Sequence, residues 1–144
     1  MYSDITQELA NLLGITLNSS NNQPVYFNFK QGIQVELSAQ SQHLALITQG
    51  VGNLNTLAID ATSLLLAINY QCHLEQDMYL GLAKDQEIVI CQRVPMAAIN
   101  APGVMKMIEA HVLGVSKIQT LLASLPQEGV ATPIKHTRHH AIFA

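Results

Sequence analysis

The sequence predicts an α+β domain, with helices packed on a twisted antiparallel sheet in the order helix, three strands, helix, two strands, helix. Two observations lead to this prediction. Segments of alternating apolar residues occur in groups joined by short polar turns, a pattern typical of antiparallel hairpins. Segments with helical periodicity lie before, between and after these groups. Because the strands are grouped instead of alternating with helices, an antiparallel sheet is favoured over a parallel one.

The opening segment predicts an amphipathic helix over residues 3 to about 13. Its apolar residues recur at helical spacing: Ile5, Leu9, Leu12 and Leu13. Ser3 is the expected N-cap, and Gly14 is the expected end of the helix. The polar residues 18–24 then predict a loop.

Three strands are expected next. Residues 25–30 and 33–38 alternate between apolar and polar side chains, which indicates half-buried strands. The Gln-Gly pair at 31–32 predicts the tight turn of a hairpin. A third, less regular strand is predicted over 43–48 and closed by the glycine-containing segment 50–53. These three strands form a meander.

The helix predicted over about 55–71 is apolar on almost every side. One stripe contains Leu57, Ala61, Leu64, Leu65, Ile68 and Cys72, and the other side carries Ile59, Leu66, Ala67 and Tyr70. A helix of this kind must be covered on both faces. One sheet covers one face, so the second face indicates a dimer interface. The alternative is a central helix wrapped within a single chain.

A second hairpin is predicted from residues 77–83 and 87–93, with the turn at 84–86. The final helix is expected over about 101–123, with a buried stripe of apolar residues at helical spacing. Residues 1–125 are therefore expected to form one domain, and residues 126–144 a tail that is flexible or ordered by a partner.

Composition excludes several classes of function. Seven Lys and Arg residues and a net charge of −3 do not supply the basic surface that nucleic acids or anionic membranes require. No stretch of about 18 residues is continuously apolar, so no membrane insertion is expected. The N-terminus lacks the basic and apolar regions of a signal peptide. We therefore expect a soluble protein of the cytoplasm.

The sequence offers no catalytic residue, no metal site and no cofactor site. Neither nucleotide-binding glycine motifs nor hydrolase motifs occur. Cys72 and Cys91 are interpreted as buried reduced thiols, because Cys72 has only the neighbouring His73 and no third member of a catalytic set. His111 is interpreted as a hydrogen-bonded core residue. The cluster of His136, His139 and His140 is interpreted as a solvated tail, the alternative being a metal site on a helical tail.

Apolar surface is the remaining candidate for function. The first helix is short, and Val25, Phe27 and Phe29 supply large side chains on the first strand. A groove between that helix and that strand could accept apolar side chains of an extended peptide, and an exposed strand edge could add main-chain hydrogen bonds. The alternative is that these residues are core.

Taken over residues 5 to about 122, the chain resembles the class I type III secretion chaperones, the Tir-chaperone or SycE-like family. The resemblance rests on the opening segment 9–15, the hairpin 25–37 and the apolar helix 57–70. It is closest in the segments 78–83 and 88–96, the second of which ends in Arg-Val-Pro-Met before the last helix.

The resemblance implies a bacterial, cytoplasmic homodimer without enzyme activity. Such chaperones bind the N-terminal chaperone-binding segment of one or more secreted effectors in extended form and keep it secretion-competent. They also help to target it to the secretion apparatus, whose ATPase is a candidate further partner. Carried over by position, the effector groove falls on Leu9, Leu12, Leu13, Ile15, Val25, Phe27 and Phe29. The dimer contact falls on Leu57, Leu64, Leu65, Ile68 and Met78.

Two features depart from the family pattern, namely the histidine-bearing tail after Pro126 and the modest acidity of the chain. A second interpretation of the same fold is a small dimeric adaptor or regulator that binds a folded partner protein.

Overall fold

The computed structural model describes residues 1–17, 23–58 and 61–126, and over these residues the predicted α+β architecture is confirmed. The helices and strands follow in the predicted order: α1 (Tyr2–Leu13), β1 (Val25–Asn28), β2 (Gln34–Gln40), β3 (His43–Asn53), α2 (Ala61–Gln76), β4 (Met78–Leu82), β5 (Glu87–Pro95) and α3 (Ala101–Ser124). The proposed tail beyond Pro126 lies outside the described residues.

The five strands form one fully antiparallel sheet in the order β1-β2-β3-β5-β4. The strands β1 and β4 are therefore its two edges. Leu37 lies opposite Leu46, and Leu80 lies opposite Ile90, so these side chains share one face of the sheet. The helices α1 and α3 pack together, and α3 packs on β3, while α2 packs on the edge strand β4.

The core lies between one face of the sheet and the helices α1 and α3. Its fully buried side chains come from both layers: Val35, Leu37, Leu44, Leu46, Ile90, Leu9, Val104 and Val115. On the opposite face of β1, β2 and β3, the side chains of Tyr26, Gln34, Glu36, Ile47 and Gln49 are exposed or half-buried. We call this second surface the open face.

The helix α1 begins one residue earlier than the sequence predicts. Its N-cap is Met1, which makes no side-chain capping bond, so the expected cap at Ser3 is wrong. The terminal ammonium of Met1 instead lies 2.7 Å from the Asp4 carboxylate. This early start places the Tyr2 hydroxyl 2.9 Å from the carbonyl oxygen of Leu37 and ties α1 to β2. Gly14 ends the helix in the left-handed conformation, with φ of 64°, as predicted.

The largest difference from prediction is at the junction of β3 and α2. The strand β3 continues to Asn53 through an irregularity between Thr48 and Gly52, and α2 begins only at Ala61. Between them, residues 54–56 form a short 3-10 turn. The Asn53 side chain stabilises this turn by accepting a hydrogen bond of 2.8 Å from the Asn55 amide, an arrangement that competes with a helix start at 55.

The interior contains one histidine that links α3 to the sheet. His111 is fully buried, and its Nε2 lies 3.0 Å from the Thr48 hydroxyl, which agrees with the prediction of a hydrogen-bonded core residue. Its Nδ1 is buried without a hydrogen-bond partner. Burial lowers the pKa of His111 from 6.5 to about 4, because the imidazolium form would lose its hydration.

We expect the free energy of unfolding to fall as the pH drops from 6.5 towards 4. In this window the unfolded chain binds a proton at His111 that the folded chain does not bind, so acid favours unfolding. The pKa difference corresponds to at most about 3 kcal/mol. The variant His111→Gln should lose this component, whereas His43→Gln should keep it, as measured by urea unfolding at several pH values. Equal pH dependence in the wild type and His111→Gln would contradict the prediction.

Candidate binding surfaces

The chemistry of the described residues does not assemble a reactive centre. Burial, followed by the charge of Glu75, raises the pKa of Cys72, and burial is also the main cause of the raised pKa of Cys91. A nucleophilic cysteine needs the opposite shift. His73 stacks on Tyr79, with 4.9 Å between ring centroids. No cluster of three potential metal ligands occurs within 1–17, 23–58 and 61–126, and the tail histidines lie outside these ranges.

The first candidate surface is formed by the end of α1 and by β1, and we call it the α1–β1 surface. At its helical end, Leu12, Leu13 and Ile15 expose 51%, 40% and 46% of their side chains. Leu9 differs from them, because it is fully buried in the core and has no surface to offer a ligand. Three large exposed aliphatic side chains within four residues are unusual for a surface that meets only water.

On the strand side of this surface, Val25, Phe27 and Phe29 are half-buried and pack against the core. Each of them therefore contributes to the core and keeps an exposed portion, and their role in a groove stays a prediction. The sequence-predicted groove set thus divides into one buried member, three exposed members and three half-buried members.

The strand β1 also has a free main-chain edge. The amide of Phe29 donates a hydrogen bond of 2.9 Å to the carbonyl of Ile33, which fixes the phase of the β1–β2 ladder. Because hydrogen-bonded pairs alternate along an antiparallel ladder, Phe27 pairs with Val35 through such bonds. The main-chain N–H and C=O groups of Tyr26 and Asn28 consequently point away from β2. Among the described residues no strand pairs with this side of β1.

The opposite edge of the sheet is closed by a side chain. Asn69 on α2 accepts a hydrogen bond of 2.7 Å at its Oδ1 from the main-chain amide of Leu80 on β4. This contact satisfies an outward-pointing donor of the edge strand and holds α2 beside β4. The two edges of the sheet therefore differ, since β4 is covered by a helix and β1 is open.

The second candidate surface lies on α2 and β4, and we call it the α2 surface. Leu66, Tyr70 and Leu74 follow one another at intervals of four residues and expose 66%, 67% and 64% of their side chains. Tyr79 and Leu82 on β4 are also exposed. An apolar strip of this length on a helix is typical of an interface with another protein.

The residues that the sequence placed at a dimer contact are distributed differently. Leu64 is exposed and Ile68 is half-buried, so both still have surface to offer. Leu57, Leu65 and Met78 are core residues of the single chain, with exposed fractions of 8%, 9% and 0%. These three side chains therefore have little surface to offer a second copy: Leu65 lies on the side of α2 that faces β4, Leu57 precedes α2, and Met78 begins β4.

Clefts lie on both sides of α2. One, of about 240 Å³, separates α2 from β4 and is lined by Leu65, Leu66, Leu80 and Leu82. The other, of about 460 Å³, separates α2 from α3 and is lined by Leu64, Ile68, Cys72, Ile118 and Leu121. The strip of Leu66, Tyr70 and Leu74 thus forms an apolar ridge with an apolar cleft on each side. A ridge and clefts of this kind allow the shape complementarity that protein interfaces show.

The predicted dimer contact did not include Leu66, Tyr70 or Leu74. The sequence analysis did place Leu66 and Tyr70 on one apolar side of the helix. Which of the two apolar sides faces water could not be predicted from the sequence, because it depends on how α2 is rotated against β4.

No protein-family model and no curated protein matches this sequence. Solved structures do match its fold. A chain of the ExsC–ExsE complex has a TM-score of 0.69 and 16% identity, covering 91% of this chain and 96% of that one. A chain of the HopA1–SchA chaperone–effector complex has a TM-score of 0.68 and 16% identity, with coverage of 83% and 93%.

The structure of the Yersinia pestis type III secretion chaperone SycH with a fragment of YscM2 matches with a TM-score of 0.61 and 14% identity, over 82% of this chain and 99% of that one. The chain therefore has the fold of type III secretion chaperones. The fold also occurs in YbjN of E. coli, a candidate transcription regulator, with a TM-score of 0.56, 12% identity and coverage of 84% and 90%. Within the described residues, no helix is both long and apolar enough to cross a membrane.

We expect Asn69→Ala to destabilise the chain by about 1 kcal/mol, because it leaves the Leu80 amide without its hydrogen bond. The measurement is urea unfolding. Gln71→Ala is the control, since the Gln71 amide bonds only to the exposed Glu75 carboxylate on the same helix. An equal, small effect of both substitutions would show that Asn69 does not hold α2 on β4.

Proposed function

We propose that this chain is a type III secretion chaperone of the bacterial cytoplasm that acts as a homodimer. It binds the N-terminal chaperone-binding segment of one or more effectors in extended form, keeps that segment secretion-competent and aids its targeting to the secretion apparatus. It needs no catalytic residue and no cofactor for this task. The observation that carries the proposal is the α1–β1 surface, where exposed aliphatic side chains lie beside a free strand edge.

The shape of the α1–β1 surface supports an extended ligand. An extended segment placed along β1 would form main-chain hydrogen bonds with Tyr26 and Asn28, and these bonds require no particular ligand sequence. Its apolar side chains would cover the exposed portions of Leu12, Leu13 and Ile15. Each apolar anchor buried in this way contributes roughly 1.5–3 kcal/mol, so a few anchors offset the cost of ordering a flexible segment.

The fold comparisons support the same proposal. The matching structures include a chaperone–effector complex and a type III secretion chaperone bound to a protein fragment. For this chain, function by the same kind of binding is a proposal that its own surfaces support, because apolar burial and edge pairing suit a polypeptide without tertiary structure. The ATPase of the secretion apparatus remains a proposed further partner.

The homodimer is supported by the α2 surface. Leu66, Tyr70 and Leu74 form an exposed apolar ridge, and the clefts on either side of α2 could receive the same ridge of a second copy. A two-fold axis across α2 would then bury both ridges at once, since an isologous interface uses one patch twice. The interface we propose uses Leu64 and Ile68 together with the ridge, and not the core residues Leu57, Leu65 and Met78.

A second candidate function is a small dimeric adaptor or regulator that binds a folded partner. The observation in its favour is that YbjN, a candidate transcription regulator, shares this fold. The two functions differ in the state of the free partner. Hydrogen exchange on the isolated partner should show an unprotected segment for a chaperone client and a protected surface for a folded partner.

The double variant Leu66→Asp/Tyr70→Asp should be a folded monomer, because both side chains are exposed in the single chain and become buried only in the proposed dimer. Light scattering should give the mass of two 15.7 kDa chains for the wild type and of one for the variant. Leu113→Asp, at an α3 site of 65% exposure, is the matched control and should stay dimeric. A monomeric wild type would contradict the proposed homodimer.

Leu12→Glu and Ile15→Glu should each weaken client binding about ten-fold or more while leaving the dimer intact, because each removes the apolar surface that one client side chain would cover. The client is first identified by co-purification from the native host, and its N-terminal segment is then titrated by calorimetry. Leu113→Glu serves as the control for an added surface charge. Unchanged affinity in both groove variants would mean that the client binds elsewhere.

A further inference from the structure

The open face contains a charged pocket directly behind the free edge of β1. This pocket has a volume of about 310 Å³ and is lined by Tyr26, Gln34, Glu36, Ile47 and Gln49. Its one charged group is the Glu36 carboxylate, and the remaining polar groups are two amides and a phenol. None of these residues belongs to the apolar groove described above, so the pocket offers a different kind of contact.

The Glu36 carboxylate forms no ion pair in the described part of the chain, and its neighbour Tyr26 donates a side-chain hydrogen bond to it. No Lys, Arg or His nitrogen of those residues lies within 4 Å of it. The negative charge of Glu36 affects neighbouring residues. It is the largest cause of the raised pKa of Tyr26, and it contributes to the raised pKa of Cys91 on the same face. Arg93, on the same face of β5, lowers the pKa of Cys91 and so opposes Glu36 there, but no basic residue lines the pocket itself, which therefore suits a cation.

The register of the sheet connects this pocket to a ligand on β1. Tyr26 lies opposite Glu36 in a pair that does not exchange main-chain hydrogen bonds, and in such pairs the side chains lie close together. A strand added to β1 would pair with the outward main chain of Tyr26. Side chains of directly paired residues share one face, so the ligand residue opposite Tyr26 would project over the open face.

The distances favour a long basic side chain at that position. Adjacent strands are about 4.8 Å apart, so the added strand would lie two such spacings, about 10 Å, from β2. A Lys or Arg side chain could cross the exposed ring of Tyr26, where a cation is attracted to the aromatic face, and bring its charge to Glu36. A short or acidic side chain could not make this contact.

We propose that Glu36 and Tyr26 form a specificity pocket for one Lys or Arg residue of the extended segment that adds to β1. This inference rests on the proposed function, and it deepens it by assigning the ligand a pattern. Alternate ligand residues are apolar and pack beside Phe27 and Val25, and a basic residue lies between them on the side of the open face. Glu36 acts here as a specificity-determining residue.

The test uses a randomised twelve-residue peptide library displayed on phage and selected on the full chain. Peptides selected on the wild type should carry alternating apolar residues with Lys or Arg enriched at one intervening position. Selection on Glu36→Lys should replace that residue by Asp or Glu. The best wild-type peptide, made synthetically, should bind Glu36→Gln about five-fold more weakly, as expected for a partly exposed ion pair with a cation–π contact.

Controls separate this proposal from a general charge effect. Glu109→Gln removes an exposed carboxylate on α3 and should leave the peptide affinity unchanged. Tyr26→Phe keeps the ring and should bind nearly as well as the wild type, whereas Tyr26→Ala should not. Replacing the basic peptide residue by citrulline should remove the difference between the wild type and Glu36→Gln.

The possible failures are distinguishable. If the selected peptides alternate in apolar residues but show no basic preference, and Glu36→Gln binds them normally, the pocket proposal is overturned and the groove remains. If the library yields no alternating peptide, or if Leu12→Glu binds the selected peptides as the wild type does, the proposed function itself is contradicted.

Discussion

The constraint on which the rest of the molecule depends is that helices cover the five-stranded sheet on one face. Both α1 and α3 lie there, and their buried side chains meet those of β2, β3 and β5 in one core. The buried pair of His111 and Thr48 and the contact of Tyr2 with the Leu37 carbonyl fix these helices on the sheet. Every surface that we assign to binding is what this packing leaves uncovered.

The uncovered regions are of two kinds, because a helix covers one edge of the sheet and leaves the other edge free. At β4, Asn69 and the rest of α2 close the edge, and the apolar surface is displaced outward onto the helix. At β1, the edge remains free beside Phe27 and the exposed end of α1. A free edge next to apolar side chains promotes unwanted strand pairing. A surface with that cost is best explained by a polypeptide ligand that occupies it.

Fold likeness and surface chemistry contribute separately to the functional proposal. At 12–16% identity the matching structures establish the fold, and that fold occurs both in secretion chaperones and in a candidate transcription regulator. Function is therefore argued from sites. The exposed aliphatic residues, the outward main chain of Tyr26 and Asn28 and the Glu36 carboxylate all lie at or next to β1. Together they favour an extended, basic and apolar segment over a folded partner.

The sequence by itself determined the class of fold, the order of the elements and the identity of the apolar residues, because periodicity of two or of 3.6 residues is a local property of the chain. It also located the end of α1 at Gly14 and the hydrogen-bonded burial of His111. It did not place the start of α2, since the Asn53 side chain accepts a hydrogen bond from the Asn55 amide and stabilises a short 3-10 turn where the helix was expected to begin.

Only the tertiary structure decided which apolar residues face water. Leu65 and Leu66 are neighbours on a helix that is apolar on both sides, and the packing of α2 against β4 buries the first and exposes the second. The pattern of β1 likewise does not reveal that it is an edge strand, nor that Glu36 lies beside Tyr26. Burial, edge position and cross-strand pairing depend on residues distant in sequence, so no local pattern contains them.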